Sequence, residues 1–330
     1  MLDGAGPRPG TGESRSSRRA LLWVSWIFGF AMLAAVIIAA LHFSEERELV
    51  RITKTAQPWW LAIAVLLQVG TYFAQGETLR VVTRAAKVSV PLSTAFKLSL
   101  AKLFIDQALP SAGISGTVVV ARALEQRGVS RAVVMAAVVV DSVSYYAAYV
   151  LTLALALLIT VLGGQASPLV VAAALSFVVF SAVLTAAALV LSGRSNVGPR
   201  WLKRVPLLKH ALALLGQADP KLARSLPLIF KSGLCQLAIV VLDAATIWVL
   251  IRSLGTAASP TGVFASFMIS TLLRTIGIVP GGLGTFEAAS VVTLKLAGIP
   301  VAEALAATLM FRGLSFWLPM LPGLVASRPR

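Results

Sequence analysis

Nine charged side chains stand in or beside the long apolar runs of this sequence: Lys97, Lys102, Asp106, Asp141, Asp243, Arg274, Glu287, Lys295 and Arg312. A charge held at the centre of a membrane helix costs roughly 2.5 to 3.5 kcal/mol. Several together are therefore retained only where they pair or line a wet cavity. Lys102 and Asp106 are four residues apart and can pair on one helix face. Glu287 follows a glycine-rich stretch and is expected in the first turn of a helix, where its charge suits the dipole. Arg274 and Arg312 have no opposite charge at helical spacing within their own segments. They either pair across helices with Glu287, Asp141 or Asp106, or they hold an anion such as a phosphodiester, to which a guanidinium binds through two parallel hydrogen bonds. For Glu287 with either arginine, a structural ion pair and a ligand contact are both open. Lys97 is expected to snorkel to the cytoplasmic surface, Lys295 to sit at the membrane surface, and Asp243 to be neutral and hydrogen-bonded. The candidate site is therefore Arg274, Glu287, Arg312, Lys102, Asp106 and Asp141.

Composition defines the molecule that must hold these charges. Of 330 residues 58% are hydrophobic and 13% charged, with a mean hydropathy of +0.86, about half the charged share of a soluble domain. A water-soluble fold of this length could not hide so much apolar surface, so an integral membrane protein is expected. The net charge is +16, but Lys and Arg fall mainly in the gaps between apolar runs. Anionic lipid headgroups, not nucleic acid, are their counterpart. Cys235 is a single cysteine in an apolar run, and His42 and His210 stand far apart, so no disulfide framework, metal site or cofactor is expected. No Gly-x-x-x-x-Gly-Lys loop for ATP is present in the sequence.

The segment 1–20 is rich in Gly, Ser, Pro and Arg and reads as a disordered cytoplasmic tail. The rest, 21–330, reads as one transmembrane domain. Its first span, 21–43, is long enough to cross a bilayer and longer than a signal-peptide core. Further spans are legible at 59–79, 133–162, 169–191, 226–251 and 304–325, with Trp59, Trp60 and Trp317 as interfacial anchors. The basic gaps around Arg80, Arg84 and Lys87, around Arg122, Arg127 and Arg131, and in the loop 193–225 belong inside, as do Arg328 and Arg330. Both termini are then cytoplasmic.

Two apolar segments, 90–125 and 261–295, are interrupted in the middle and do not fit as simple spans. Read as re-entrant hairpins, they keep every basic cluster inside and point at each other. Their breaks contain Pro110, Gly113 and Gly116 in the first, and Pro280, Gly281, Gly282 and Gly284 in the second. With one gap the two breaks match as proline, small, glycine, aliphatic, small, threonine. Gly128 and Gly298 lie at the same distance beyond them, and Ala136-Ala137 matches Ala306-Ala307. Ser144-Tyr145-Tyr146 then matches Ser315-Phe316-Trp317, one residue out of step. An odd number of spans between the units would invert the second, the pattern of a transporter built from inverted repeats with its site where broken helices meet. The fold expected is an all-α, polytopic helical bundle with two re-entrant hairpins.

The run Val279-Pro280-Gly281-Gly282-Leu283-Gly284-Thr285-Phe286-Glu287-Ala288, with Arg312 in the next span and the earlier Leu-Pro-Ser-Ala-Gly-Ile-Ser-Gly break, resembles the lysylphosphatidylglycerol synthetase transmembrane-region family. That family includes the flippase half of the bacterial multiple peptide resistance factor. The resemblance covers nearly the whole chain after the tail, and Pro280, Gly281, Gly282, Gly284, Glu287 and Arg312 match its motif positions. It implies a multi-pass protein of the bacterial inner membrane that moves, or helps to move, a phospholipid or lipid-linked headgroup between leaflets. Its partner would be an anionic or aminoacylated phospholipid. The two-domain members carry a soluble synthetase domain after the membrane region, whereas this sequence stops at Arg330. The expectation is a transporter and not an enzyme, with any lipid-modifying step left to a separate protein. A membrane-embedded glycosyl or lipid-modifying transferase using Asp106, Asp141 and Glu287, or a non-transporting scaffold, are the alternatives.

Overall fold

The computed structural model describes residues 56–108, 114–164, 168–192, 215–276 and 282–326, with Ile27 and Ala34 as isolated helical positions. The tail 1–20, nearly all of the run 21–43 and most of the basic loop 193–225 lie outside the described residues. So do Pro110, Gly113, Pro280 and Gly281.

The described secondary structure is all helical. Helix α1 spans Pro58–Ala85, α2 Leu92–Ala108, α3 Ile114–Glu125, α4 Arg131–Leu162 and α5 Pro168–Leu191. A single turn, α6 (Pro220–Ala223), precedes α7 (Leu226–Ser253), α8 (Pro260–Ile276) and α9 (Thr285–Leu296). Helix α10 (Val301–Arg312) runs through a π-helical segment, Gly313–Trp317, into α11 (Leu318–Ala326). Prolines open α1, α5, α6 and α8, in the first turn, where the missing N–H has no intrahelical partner to lose.

Among the described residues four stretches are long and apolar enough to cross a membrane: Arg131–Leu162, Val170–Leu191, Leu226–Ser253 and the composite Val301–Leu324. The chain is thus a polytopic α-helical membrane protein. Leu151, Leu155 and Leu158 on α4, and Leu175, Val179 and Phe180 on α5, are exposed. That surface suits hydrocarbon as its solvent.

The long helices α1 and α7 pack along one another at the centre. Helix α2 packs on α1 and α8 on α7, while α4 lies against α8 and α11 against α2. Each central helix therefore carries a pair of short helices, and each pair is backed by the last helix of the other set. Glycines set the closest approaches. A side chain at Gly76 would meet the Ala95 carbonyl carbon at 3.1 Å, and one at Gly323 the Leu100 carbonyl oxygen at 2.6 Å.

The two pairs are alike in their described parts, with 17 residues in α2 and in α8 and 12 in α3 and in α9. Within the second pair the helices run antiparallel. The Ser266 hydroxyl donates to the Thr293 carbonyl at 3.0 Å, and the hydroxyls of Ser270 and Thr293 are 3.1 Å apart.

The turns that leave the pairs are also alike. Gly128 (φ +82°) and Gly298 (φ +88°) take left-handed backbone. The Val129 N–H reaches the Leu124 carbonyl at 3.1 Å, and the Ile299 N–H reaches the Leu294 carbonyl at 3.0 Å. Both follow the Schellman way of ending a helix, which places glycine at the left-handed position and buries the flanking apolar residues. Leu124, Val129, Leu294 and Ile299 are all at most 3% exposed. The sequence comparison aligns these same positions. It falls out of step by one residue between Ala307 and Ser315, and the π-helical segment begins at Gly313. A π turn, bonded one residue further along than an α turn, accommodates one added residue.

Candidate functional site

The second interruption is held by a carboxylate. Glu287 is the third residue of α9, and one of its oxygens accepts the Gly284 N–H at 2.7 Å. This is the reach-back arm of a capping box, and it uses an amide that has no helical partner. The other oxygen accepts from Arg312 Nε at 2.7 Å, with the two side chains 1% and 4% exposed. Gly282 and Gly284 have φ of +66° and +79°, the region that favours glycine. Gly282 is doubly constrained, because a Cβ there would run into the aliphatic stem of Arg274.

Arg274 lies in the last turn of α8 and is partly exposed. Phe286 stands between the two arginines, with its ring centroid 5.6 Å from the Arg312 guanidinium carbon and 5.9 Å from that of Arg274. Arg312 also sits 4.4 Å over the Phe316 ring. The aromatic faces favour positive charge in a setting poor in water. Among the described residues Arg312 is ion-paired to Glu287, whereas no carboxylate lies within ion-pair distance of Arg274.

The first interruption repeats the device with other residues. Lys102 pairs with Asp106 at 3.2 Å, and the second Asp106 oxygen accepts the Gly116 N–H at 2.9 Å. Gly116 is the third described residue after the break. The glycine is there because a side chain would run into the Asp106 carboxylate and lie 2.6 Å from the Lys102 carbonyl oxygen. Asp141 on α4 accepts from the Gln236 amide on α7 at 2.8 Å. With Lys102, Gln75, Ser99 and Ser142 it lines a cavity of about 60 Å³ between α1, α2, α3 and α4, room for a few waters.

The six candidate residues thus form two clusters, one at each interruption. A third polar group was only half visible in the sequence. The Gln68 amide donates to Asp243 Oδ1 at 2.8 Å and to the Thr246 hydroxyl at 3.2 Å, and the Thr71 hydroxyl donates to the same Asp243 oxygen at 3.2 Å. The signal was the spacing. Gln68 and Thr71 fall three apart on α1, as do Asp243 and Thr246 on α7, so each pair shares a helix face. Two carbonyls of the π segment are also held, Leu314 by the Tyr72 hydroxyl at 2.6 Å and Ser315 by the Gln107 amide at 3.3 Å. Nothing in the spacing announces those contacts. Among the described residues no three of His, Cys, Asp and Glu come together as metal ligands would.

A helical bundle whose long apolar helices carry exposed hydrophobic surface and whose ion pairs gather at helix interruptions is a polytopic membrane protein. The Lysylphosphatidylglycerol synthase TM region family matches residues 16–323, and the chain belongs to that family. A UPF0104 membrane protein of Methanothermobacter thermautotrophicus is 29% identical over 86 residues, which cover 26% of this chain and 25% of that protein. The chain thus matches about a quarter of the length of that relative.

Proposed function

We propose that the chain is a lipid flippase-like transporter that carries the headgroup of an anionic or aminoacylated phospholipid, or of another lipid-linked anion, between leaflets while the acyl chains stay in the bilayer. One observation carries the reading. Arg274 is a cation beside a helix interruption, over an aromatic ring, with its neighbour Arg312 engaged by Glu287 and no carboxylate of its own among the described residues. A guanidinium so placed would neutralise a phosphate and lower the barrier to its passage. On this reading the pairs α2/α3 and α8/α9 are two re-entrant hairpins entering from opposite faces, and the matched turns at Gly128 and Gly298 support a repeat. On this reading the protein sits in the bacterial inner membrane with both termini cytoplasmic. It makes no lipid itself and works beside a separate lipid-modifying enzyme.

The test is leaflet exchange of fluorescent anionic, zwitterionic and lysyl-modified phospholipids in proteoliposomes, with wild type compared to Arg274→Ala, Glu287→Gln and Arg312→Ala at matched reconstitution. Headgroup-selective exchange that Arg274→Ala abolishes supports the proposal. Folded protein that exchanges no lipid above empty vesicles overturns it. Formation of a new lipid product would instead favour a membrane-embedded transferase.

A further inference from the structure

We infer that Asp243, Gln68, Thr71 and Thr246 form a binding site for a sodium-sized monovalent cation between the two central helices. The inference goes beyond the transport reading, and its test needs no lipid to move.

Asp243 lies well inside the 28-residue helix α7, where a carboxylate without a counterion is costly. Asp106 is paired to Lys102 and Glu287 to Arg312, and Asp141 shares a cavity with Lys102. Among the described residues no cation lies within ion-pair distance of Asp243. Its donors are neutral, the Gln68 amide at 2.8 Å and the Thr71 hydroxyl at 3.2 Å, and both act on Oδ1. A polar cross-link between α1 and α7 would not call for a charge, since an asparagine would accept the same two bonds. The charge itself asks for a cation, and Asp243 is partly accessible to one.

Beside the carboxylate is a buried acceptor without a donor. Gln68 is 1% exposed, and its Oε1 has no hydrogen-bond partner among the described residues. The NH2 of the same amide lies 2.8 Å from Asp243 Oδ1 and 3.2 Å from the Thr246 hydroxyl oxygen. A half-turn of the amide exchanges its two ends and brings Oε1 to the carboxylate. Two acceptors in contact need a positive charge between them. A cation there satisfies both at once.

The threonines suit the same state. The Thr246 hydroxyl donates its proton to the Leu242 carbonyl at 2.7 Å, which leaves its oxygen lone pairs to face the amide. Thr71 has the Leu67 carbonyl at 3.3 Å as a second acceptor for its proton. Giving the proton to Leu67 turns the Thr71 oxygen into a ligand as well. The spacing of three on each helix, 68 with 71 and 243 with 246, brings these oxygens to one point of the contact between α1 and α7.

One carboxylate with neutral oxygens defines the ion. Oxygen ligands suit hard cations, and the set offers no imidazole or thiolate to a transition metal. A single negative charge balances a monovalent ion, whereas a divalent ion would leave a net charge inside the membrane. The groups already lie within hydrogen-bond distance of one another. So compact a set favours sodium or lithium over the larger potassium.

The experiment measures binding of radioactive sodium to the full chain in detergent, at constant ionic strength with choline as the replacement cation. Folded wild type is expected to bind one sodium per chain, saturably, with lithium competing and potassium competing about tenfold more weakly. The unfolding midpoint should rise with sodium over the same range. Asp243→Asn is expected to abolish both effects. Thr71→Val and Thr246→Val should each weaken binding by about tenfold, the scale of one contact to a charged group. No saturable sodium binding by folded wild type overturns the site, and so does binding that folded Asp243→Asn retains in full. If that variant does not fold, the two valine variants locate the site, and wild-type affinity in both overturns it. Sodium binding by a protein that exchanges no lipid would leave the site standing while the transport reading fails.

Discussion

Asp106 and Glu287 are bound in the same way at the two helix interruptions. Each gives one oxygen to a backbone amide at the start of a short helix, Gly116 at 2.9 Å and Gly284 at 2.7 Å. Each gives the other to a cation, Lys102 at 3.2 Å and Arg312 at 2.7 Å. The carboxylate thus replaces the hydrogen bond that the broken helix cannot make and anchors a basic side chain beside the break.

The Glu287–Arg312 pair is closed off from solvent, with neither side chain above 4% exposure. Removing one partner leaves a buried charge alone, which costs about 3 to 5 kcal/mol. Glu287→Ala and Arg312→Met are each expected to lower the unfolding midpoint in detergent. The double change Glu287→Leu with Arg312→Met should recover much of the loss, because apolar packing tolerates the joint replacement of a buried pair. Additive losses in the double variant would show that the two residues act independently.

The lysine pair at the first break is more open, at 25% and 18% exposure for Lys102 and Asp106, so Lys102→Met should cost less. The measurement is the same unfolding midpoint, and a loss equal to that of Arg312→Met would contradict the difference in burial.

Much of this arrangement was legible in one dimension. Glu287 in the first turn of α9 and the Lys102–Asp106 pair follow from local spacing, since both depend on neighbours within four residues. The partner of Arg312 does not, because 25 residues and a helix reversal separate it from Glu287. Helix ends were harder still. The apolar run 59–79 predicts a shorter α1 than Pro58–Ala85, since Glu77 pairs with Arg80 and Arg84 and carries the helix on past the apolar stretch. At Gly116 the sequence reports that a glycine is needed, and the structure shows a close approach to Asp106 and Lys102. Asp243 was correctly read as hydrogen-bonded, while its partners on α1 lie more than 170 residues away.

Glycine substitutions separate those two requirements. Gly298 has φ +88° with open space around it, whereas Gly282 has φ +66° and lies against the Arg274 stem. An alanine at either pays about 1 to 2 kcal/mol for left-handed backbone. Gly298→Ala is expected to lower stability and leave lipid exchange intact per folded molecule. Gly282→Ala should also displace Arg274, and exchange of anionic lipid should fall at least tenfold beyond the loss of folded protein. Equal exchange by the two variants, normalised to the folded fraction, would sever Gly282 from the position of Arg274.

The π segment makes the last prediction. It follows Arg312 directly, and its carbonyls are gripped by Tyr72 from α1 and Gln107 from the end of α2. The helix carrying Arg312 is thereby tied to the far end of the first hairpin. Deleting Gly313 removes the residue that the π segment accommodates, so the segment can close into a continuous α-helix with both flanks kept in register. The carbonyls held by Tyr72 and Gln107 would then return to the helix ladder, while Arg312 stays on Glu287. The deletion variant should therefore lose less stability than Arg312→Met. Tyr72→Phe removes one hydrogen bond and leaves the bulge, so it should cost only about 1 kcal/mol. Hydrogen exchange of the segment 313–317 reads the difference directly. Protection that rises in the Gly313 deletion and falls modestly in Tyr72→Phe fits a bulge held open by its partners. Unchanged protection in both would mean that neither contact holds it.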